Sequence, residues 1–302
     1  MDERFCTVGD VELCYETFGD PADPTVLLIM GLGAQMVAWH VDFCRRIAER
    51  GFQVVRFDNR DAGRSTYFKS PGPSMLQMLT RRTNPEYTLS DMAADAVGLL
   101  DHLGVDRAHV VGASMGGMIA QTVAIEHPTR VLSLTSIMSN VGDRLRGQPA
   151  FAVYPVLLRA APTERGAFIE HVEAMFATIG SPDPADQDVA DLHEMAELSF
   201  DRLSRKGPGA PRQLAAIIAS GDRRRALRDV KVPTLVIHGT KDRLVRPSGG
   251  RATADAVPGA RLLTIEGMGH DLPRMAWDRI VDAIAENAAK GALVDRAVSA
   301  RA

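Results

Sequence analysis

Residues 109–121 read HVVGASMGGMIAQ, a serine set between glycines where an apolar run gives way to a helical one. The run at 108–113 has the character of a strand buried on both faces, and the helical pattern begins at Met115. Between them G-x-S-x-G forms a strand-to-helix turn tight enough to hold the Ser114 hydroxyl above a sheet edge. Side chains at Gly112 and Gly116 would collide with the backbone of such a turn. The alternative is a serine that only caps the helix, and the rest of the chain decides between the two.

Outward from that turn, apolar runs recur at 25–30, 53–58, 131–138, 232–238 and 261–265. Helical patterns separate several of them. In TLSDMAADAVGLLDHLG, 88–104, Thr88 and Asp91 have capping-box spacing, Leu99, Leu100 and Leu103 lie at helical intervals, and Gly104 supplies a stop. Strand and helix in alternation predict an α/β fold with a doubly wound, mostly parallel sheet. VELCYETFGD, 11–20, predicts an antiparallel edge strand. From Asn140 to Arg228 the alternation stops, and helices split by turns such as GSPDPAD (180–186) and RKGPGAP (205–211) take over. Roughly ninety residues far exceeds an ordinary connection. The expected organisation is a core of 1–139 and 229–302 with a helical lid, 140–228, inserted after the strand at 131–138.

Charge and cysteine usage exclude several classes. A formal net charge of −3, with acids and bases interspersed, offers no basic face for nucleic acid and no acidic tail. Cys6, Cys14 and Cys44 cannot all pair and lack C-x-x-C spacing, so no metal site or disulfide framework is expected. The acidic stretch from Asp183 to Glu194 lacks the glycine and bidentate glutamate of a calcium loop and reads as solvated surface. MDERFCTVGD has no apolar core of a secretory signal, which makes the cytoplasm the expected compartment. TVLLIMGLGAQMVAW is too short to span a bilayer and is broken by Gly31 and Gly33, so no membrane segment is expected.

A serine hydroxyl is a poor nucleophile at neutral pH and needs an imidazole to take and return its proton. The site of a doubly wound sheet lies beyond the carboxyl ends of its strands, which disfavours His102 on a helix and His127 after one. His270 follows the strand ARLLTIEG in the loop GMGHDLP and is best placed. The imidazole in turn needs a carboxylate to fix its tautomer and offset its charge. Asp242, closing VPTLVIHGTKD, meets that need at the same edge, with Asp143 as the fallback and His238 as a packed histidine. Serine, aspartate and histidine then fall in the chain order expected of this architecture. For the oxyanion, the expected donors are the backbone N–H groups of Met115 at the helix start and Leu32 in MGLGAQ.

The same region imitates a dinucleotide-binding unit, with VLLIMGLGAQM, a helix, a second strand and Asp58. The imitation lacks its third glycine, where Met36 stands. Asp58 then belongs to DNRDAGRS, whose Arg60 and Arg64 are expected to fix a loop by ion pairs.

With these residues assembled, the chain resembles the serine esterases of the α/β-hydrolase family, those of the aclacinomycin methylesterase type most of all. The likeness rests on GDVEL, FGDPADPTVLLIMG, DNRDAGRST, VDRAHVVGASMG, VPTLVIHGTKD and GMGHDLP, in that order. SMGGMIAQ is also similar to the enol-lactonases. The resemblance implies an α/β-hydrolase fold, with Ser114 as nucleophile, Asp242 as acid, His270 as base, and Leu32 and Met115 at the oxyanion positions. Leu32 stands where those methylesterases have glycine, and the likeness fades over 140–228.

The resulting expectation is a serine carboxylesterase that acts on small to medium apolar esters through an acyl-enzyme, with neither metal nor organic cofactor. Phe151, Tyr154, Leu157, Phe168, Met175 and Phe176 supply apolar surface in the lid, either as a substrate wall or as the lid's own core. The alternatives on the same triad are a lactonase, a carbon–carbon bond hydrolase or a cofactor-free perhydrolase. A binding protein that uses the pocket without chemistry is a third class.

Overall fold

The computed structural model describes residues 2–299 apart from 71, 81–82, 158, 187 and 204–208. Strands β1 (Arg4–Val8), β2 (Val11–Phe18), β3 (Thr25–Ile29), β4 (Gln53–Phe57), β5 (Ala108–Ala113), β6 (Val131–Ile137), β7 (Thr234–Gly239) and β8 (Arg261–Ile265) build the sheet. Their spatial order is β1-β2-β4-β3-β5-β6-β7-β8. The pairs β1–β2 and β2–β4 are antiparallel, and every later pair is parallel. Helix α1 (Val41–Ala48) follows β3, and α2 (Met75–Thr80) and α3 (Leu89–His102) follow β4. Helix α4 (Met115–Glu126) follows β5. Between β6 and β7 lie α5 (Tyr154–Leu157), α6 (Arg165–Ile179), α7 (Val189–Asp201), α8 (Ala210–Ser220) and α9 (Arg224–Leu227). Helix α10 (Ser248–Ala256) and helix α11 (Arg274–Ser299) complete the chain.

Successive side chains of a strand point to opposite faces, and β3 shows what that does to TVLLI. Leu27 and Ile29 enter one core beside Leu89, Met92 and Leu99 of α3 and Met118 and Ile119 of α4. Val26 and Leu28 enter the other, beside Phe43 and Ile47 of α1 and Trp277, Ile280 and Ile284 of α11. Both faces are covered, which is why these strands read as continuous apolar runs rather than alternating ones. The Thr88–Asp91 capping box forms at the start of α3, and Gly104 beyond its end has φ +68°.

The antiparallel strand expected at the edge lies one place further in. It is β2, and β1, from RFCTV, takes the edge outside it. Of the five β1 residues only Cys6 is buried, so the strand carries too little apolar pattern to be read. Within the β6–β7 segment, Ile169 and Val172 of α6 and Ala196 of α7 form a small cluster, with Phe168 and Phe176 packed on it. Ala216 of α8 and Leu227 of α9 instead join the main core beside α3 and α4. Phe151 is 93% exposed, and Tyr154 and Leu157 are also exposed. The turn expected at 205–211 lies largely outside the described residues.

Candidate active site

The Ser114 turn is as tight as its glycines imply. Ser114 has φ 55° and ψ −119°, a conformation rare for any residue with a side chain. Its N–H donates to Ile137 O at 2.9 Å, which ties the turn to the end of β6. A Cβ on Gly112 would lie 2.0 Å from Gly116 O, and one on Gly116 would lie 2.0 Å from Ile29 O. Helix α4 therefore starts in contact with the end of β3. Its first residue is Met115, whose N–H has no helical acceptor and sits at the positive end of the helix dipole.

Asp242 and His270 meet through the loops that follow β7 and β8. The His270 Nδ1 lies 2.8 Å from Asp242 Oδ2. Asp242 is buried, and its Oδ1 accepts from the N–H groups of Leu244 at 2.9 Å and Val245 at 2.8 Å. Burial by itself would push this carboxyl up, but the neighbouring His270 and His238 outweigh it and hold the group down at about 2. His238 is packed, as expected, with Nε2 2.7 Å from Val245 O. It also lies 3.4 Å from Asp242 Oδ2, so two imidazoles face one carboxylate oxygen. The fallback, Asp143, faces Arg224 at 3.1 Å instead. His109, inside β5, is bonded to Ser133 and pushed down to about 4 by burial.

Ser114, Asp242 and His270 thus follow the carboxyl ends of β5, β7 and β8. Among the described residues Ser114 Oγ has no hydrogen-bond partner, and no bond joins it to His270. The loop after β3 faces the serine, since a Cβ on Gly31 would lie 3.1 Å from Ser114 Cβ. The next N–H in that loop is that of Leu32, and it has no acceptor among the described residues.

The β6–β7 segment supplies residues that no motif reveals. Its Ile179 O accepts from His270 N–H at 2.8 Å, and Ser181 Oγ accepts from Gly269 N–H at 3.1 Å. Arg202 bonds Asp58 at 2.8 Å, and Arg212 forks onto Asp61 at 2.6 and 2.8 Å. Arg60, paired with Asp95 at 2.6 Å, and Arg64, paired with Glu3 at 2.6 Å, fix the 58–66 loop as its sequence leads one to expect. Nothing in the sequence marks Arg202 or Arg212, which have no fixed spacing to their partners. Among the described residues no group of three or more histidine, cysteine, aspartate or glutamate side chains is disposed to hold a metal. Nor is any described helix long and apolar enough to cross a membrane.

A family model described as alpha/beta hydrolase fold matches residues 24–173, and another described as TAP-like protein matches 218–287. Rhodomycin D methylesterase DauP of Streptomyces sp. (strain C5) is 30% identical over 310 residues, which cover 94% of this chain and 97% of the relative. The chain belongs to the α/β-hydrolase family. As such it is a hydrolase. Rhodomycin D methylesterase DnrP of Streptomyces peucetius matches this hydrolase to the same extent, 30% over 310 residues. Among solved structures, the esterase RhEst1 from Rhodococcus sp. ECU1013 superposes with a TM-score of 0.76 at 20% identity, covering 96% of this hydrolase and 99% of that chain. The enol-lactonase from Burkholderia xenovorans LB400 gives 0.72 at 24% identity, covering 94% and 99%. These two likenesses concern the fold.

Proposed function

We propose that this hydrolase is a serine carboxylesterase with Ser114 as nucleophile, His270 as general base and acid, and Asp242 as the group that orients and offsets the imidazole. The observation that carries the reading is the 2.8 Å contact of His270 Nδ1 with buried Asp242 Oδ2, at the edge where Ser114 occupies its φ 55° turn. An Nδ1–H donating to Asp242 leaves Nε2 as the acceptor, the tautomer needed to take the serine proton. Ser114 Oγ attacks the ester carbonyl carbon while His270 removes its proton, and that proton passes to the leaving alkoxide. An acyl-enzyme remains. Water, deprotonated by His270, then attacks the acyl carbon, and that proton passes to Ser114 Oγ as the bond to the acyl group breaks and the acid leaves. The serine–histidine bond missing in the free protein is of the kind that tightens when substrate binds.

The N–H groups of Met115 and Leu32 receive the oxyanion, and residues 140–228 serve as the lid over the site. Carboxylic esters with small to medium apolar groups are the substrates, methyl esters among them, in line with the two methylesterase relatives. No cofactor enters this chemistry. Turnover of methyl and p-nitrophenyl butyrates, set against lactones and vinylogous diketones, tests the reading in wild type and Ser114→Ala. Wild-type protein that hydrolyses no ester and takes no fluorophosphonate label removes it.

A further inference from the structure

We propose that Gln213, on α8, is a positioning residue that sets the direction of the Leu32 N–H. The inference rests on the reading of Leu32 as an oxyanion donor and adds to it a side chain from the β6–β7 segment. Leu32 stands between Gly31 and Gly33, and Gly33 has φ +68°. Peptides flanked by glycine reorient against little steric resistance, so this N–H keeps one direction only if its neighbours are held.

They are held from several sides. Gln213 is fully buried; its Oε1 accepts from Gly33 N–H at 2.7 Å, while its Nε2 donates to Arg60 O at 2.7 Å. With both ends of the carboxamide bonded, the side chain cannot swivel without leaving a buried polar atom unpaired. Ala34 N–H donates to Gly31 O at 3.3 Å, closing the turn around Leu32 and Gly33. Beyond the turn, Gln35 donates to Ser199 O at 2.7 Å and accepts from Arg202 at 2.6 Å, both at the end of α7. Asn59 anchors the start of the loop through Met30 O at 2.9 Å.

Of the N–H groups at 32, 33 and 34, that of Leu32 alone lacks an acceptor among the described residues. Gln213 makes this so. By taking up the Gly33 N–H it leaves that of Leu32 as the one free donor of the turn among the described residues. A contact of 3.1 Å between Ala210 Cβ and any Cβ at position 33 shows how closely the start of α8 is seated on the loop. The β6–β7 segment is on this view part of the oxyanion scaffold as well as a cover.

Donors fixed before the reaction lower the barrier without tightening substrate binding, so loss of Gln213 acts on kcat rather than KM. The test uses the whole chain with Gln213→Leu and the length-preserving Gln213→Met, reading p-nitrophenyl butyrate turnover and inhibition by a trifluoromethyl ketone, whose adduct places an oxyanion in the same position. Ser133→Ala, which removes a buried bond to His109 inside the sheet, controls for destabilisation alone. The expected result is a fall in kcat of about tenfold, short of the 10²–10³ seen when an oxyanion donor is itself removed, with KM within about twofold. The ketone inhibition constant rises by the same factor, and Ser133→Ala changes neither. Folded Gln213 variants with wild-type kcat and ketone affinity, or losses matched by Ser133→Ala, overturn the positioning role. Wild-type protein inert to both ester and ketone overturns the serine reading itself, and this inference with it.

Discussion

Ser181 holds both carboxylate oxygens of Asp271, its N–H reaching Oδ2 at 2.9 Å and its hydroxyl reaching Oδ1 at 2.8 Å. The two residues are far apart in the chain, and the contact brings the end of α6 against the loop that carries His270. A Cβ on Gly269 would lie 2.1 Å from Gly180 C, so the approach is backbone to backbone. Ser181→Ala and Asp271→Asn should each lower kcat/KM several-fold by loosening the imidazole. In a double-mutant cycle on urea stability their effects should fail to add by about 1 kcal/mol, as for a half-buried hydrogen-bonded pair. Additivity within about 0.3 kcal/mol would mean that the pair does not couple the segment to the loop.

Asp242 makes a prediction about acid. Its carboxyl is held at about 2, below the ordinary 3.8, by His270 and His238 against the opposing effect of burial. A folded value below the unfolded one means that ionised Asp242 favours the native state. That contribution is complete above the ordinary carboxylate range and fades as pH falls from about 4 through 2. Urea midpoints for wild type and Asp242→Asn should therefore differ at pH 5 and converge as the pH falls below about 4. A difference that widens between pH 4 and 2 contradicts the assignment. At neutral pH Asp242→Asn should also cut kcat by roughly 10⁴, through loss of the working tautomer.

Two glycines, Gly116 in the turn at Ser114 and Gly9 between β1 and β2, predict unequal effects. A Cβ at Gly116 would drive into Ile29 O at 2.0 Å and Met30 O at 2.8 Å, backbone atoms of the last residue of β3 and the one after it. Neither can move without opening the sheet, so Gly116→Ala should cost about 3 kcal/mol or more, the upper end for overpacking. Gly9, at φ +56°, has open space around a Cβ, so Gly9→Ala should cost only the strain of a left-handed residue, about 1–2 kcal/mol. Equal urea midpoints for the two variants would show that the collision at Gly116 is relieved elsewhere.

What the sequence disclosed and what it concealed follow from how far each signal reaches. The Ser114 turn, the Thr88–Asp91 capping box and the buried parallel strands depend on residues within a few positions of one another, and all three were legible. The meeting of Asp242 with His270 could be anticipated because parallel strands deliver their carboxyl ends to a common edge, so strand and loop order set the two side by side. Arg202, Arg212 and Gln213 were not found, because each meets a partner more than a hundred positions away and nothing local marks it. Arg56 sits inside the apolar run of β4 yet is buried, since the antiparallel register sets it opposite Glu16 of β2. An edge strand with one buried residue, and a pairing defined only by register, leave no periodicity to detect.

The last prediction concerns the buried charge that joins α7 to the core. Arg202 donates to Asp58 Oδ2 at 2.8 Å, to Glu3 Oε1 at 2.7 Å and to Gln35 Oε1 at 2.6 Å, and both Arg202 and Asp58 are buried. Without the guanidinium, Asp58 keeps, among the described residues, the N–H groups of Met36 at 2.7 Å and Arg64 at 3.0 Å to offset a buried charge. Arg202→Met should therefore cost about 3–5 kcal/mol, most of it the penalty of an unpaired carboxylate rather than the worth of the pair. Neutralising that carboxylate should recover part of the loss, so Arg202→Met with Asp58→Asn should unfold at higher urea than Arg202→Met alone. The exposed pair of Arg165 and Glu197, at 2.8 Å, provides the contrast, since water already screens both groups and Arg165→Met should cost less than about 1 kcal/mol. If the Asp58→Asn change lowers stability further in the Arg202→Met background, the cost lies in lost hydrogen bonds and packing, and the buried charge is not what makes Arg202 necessary.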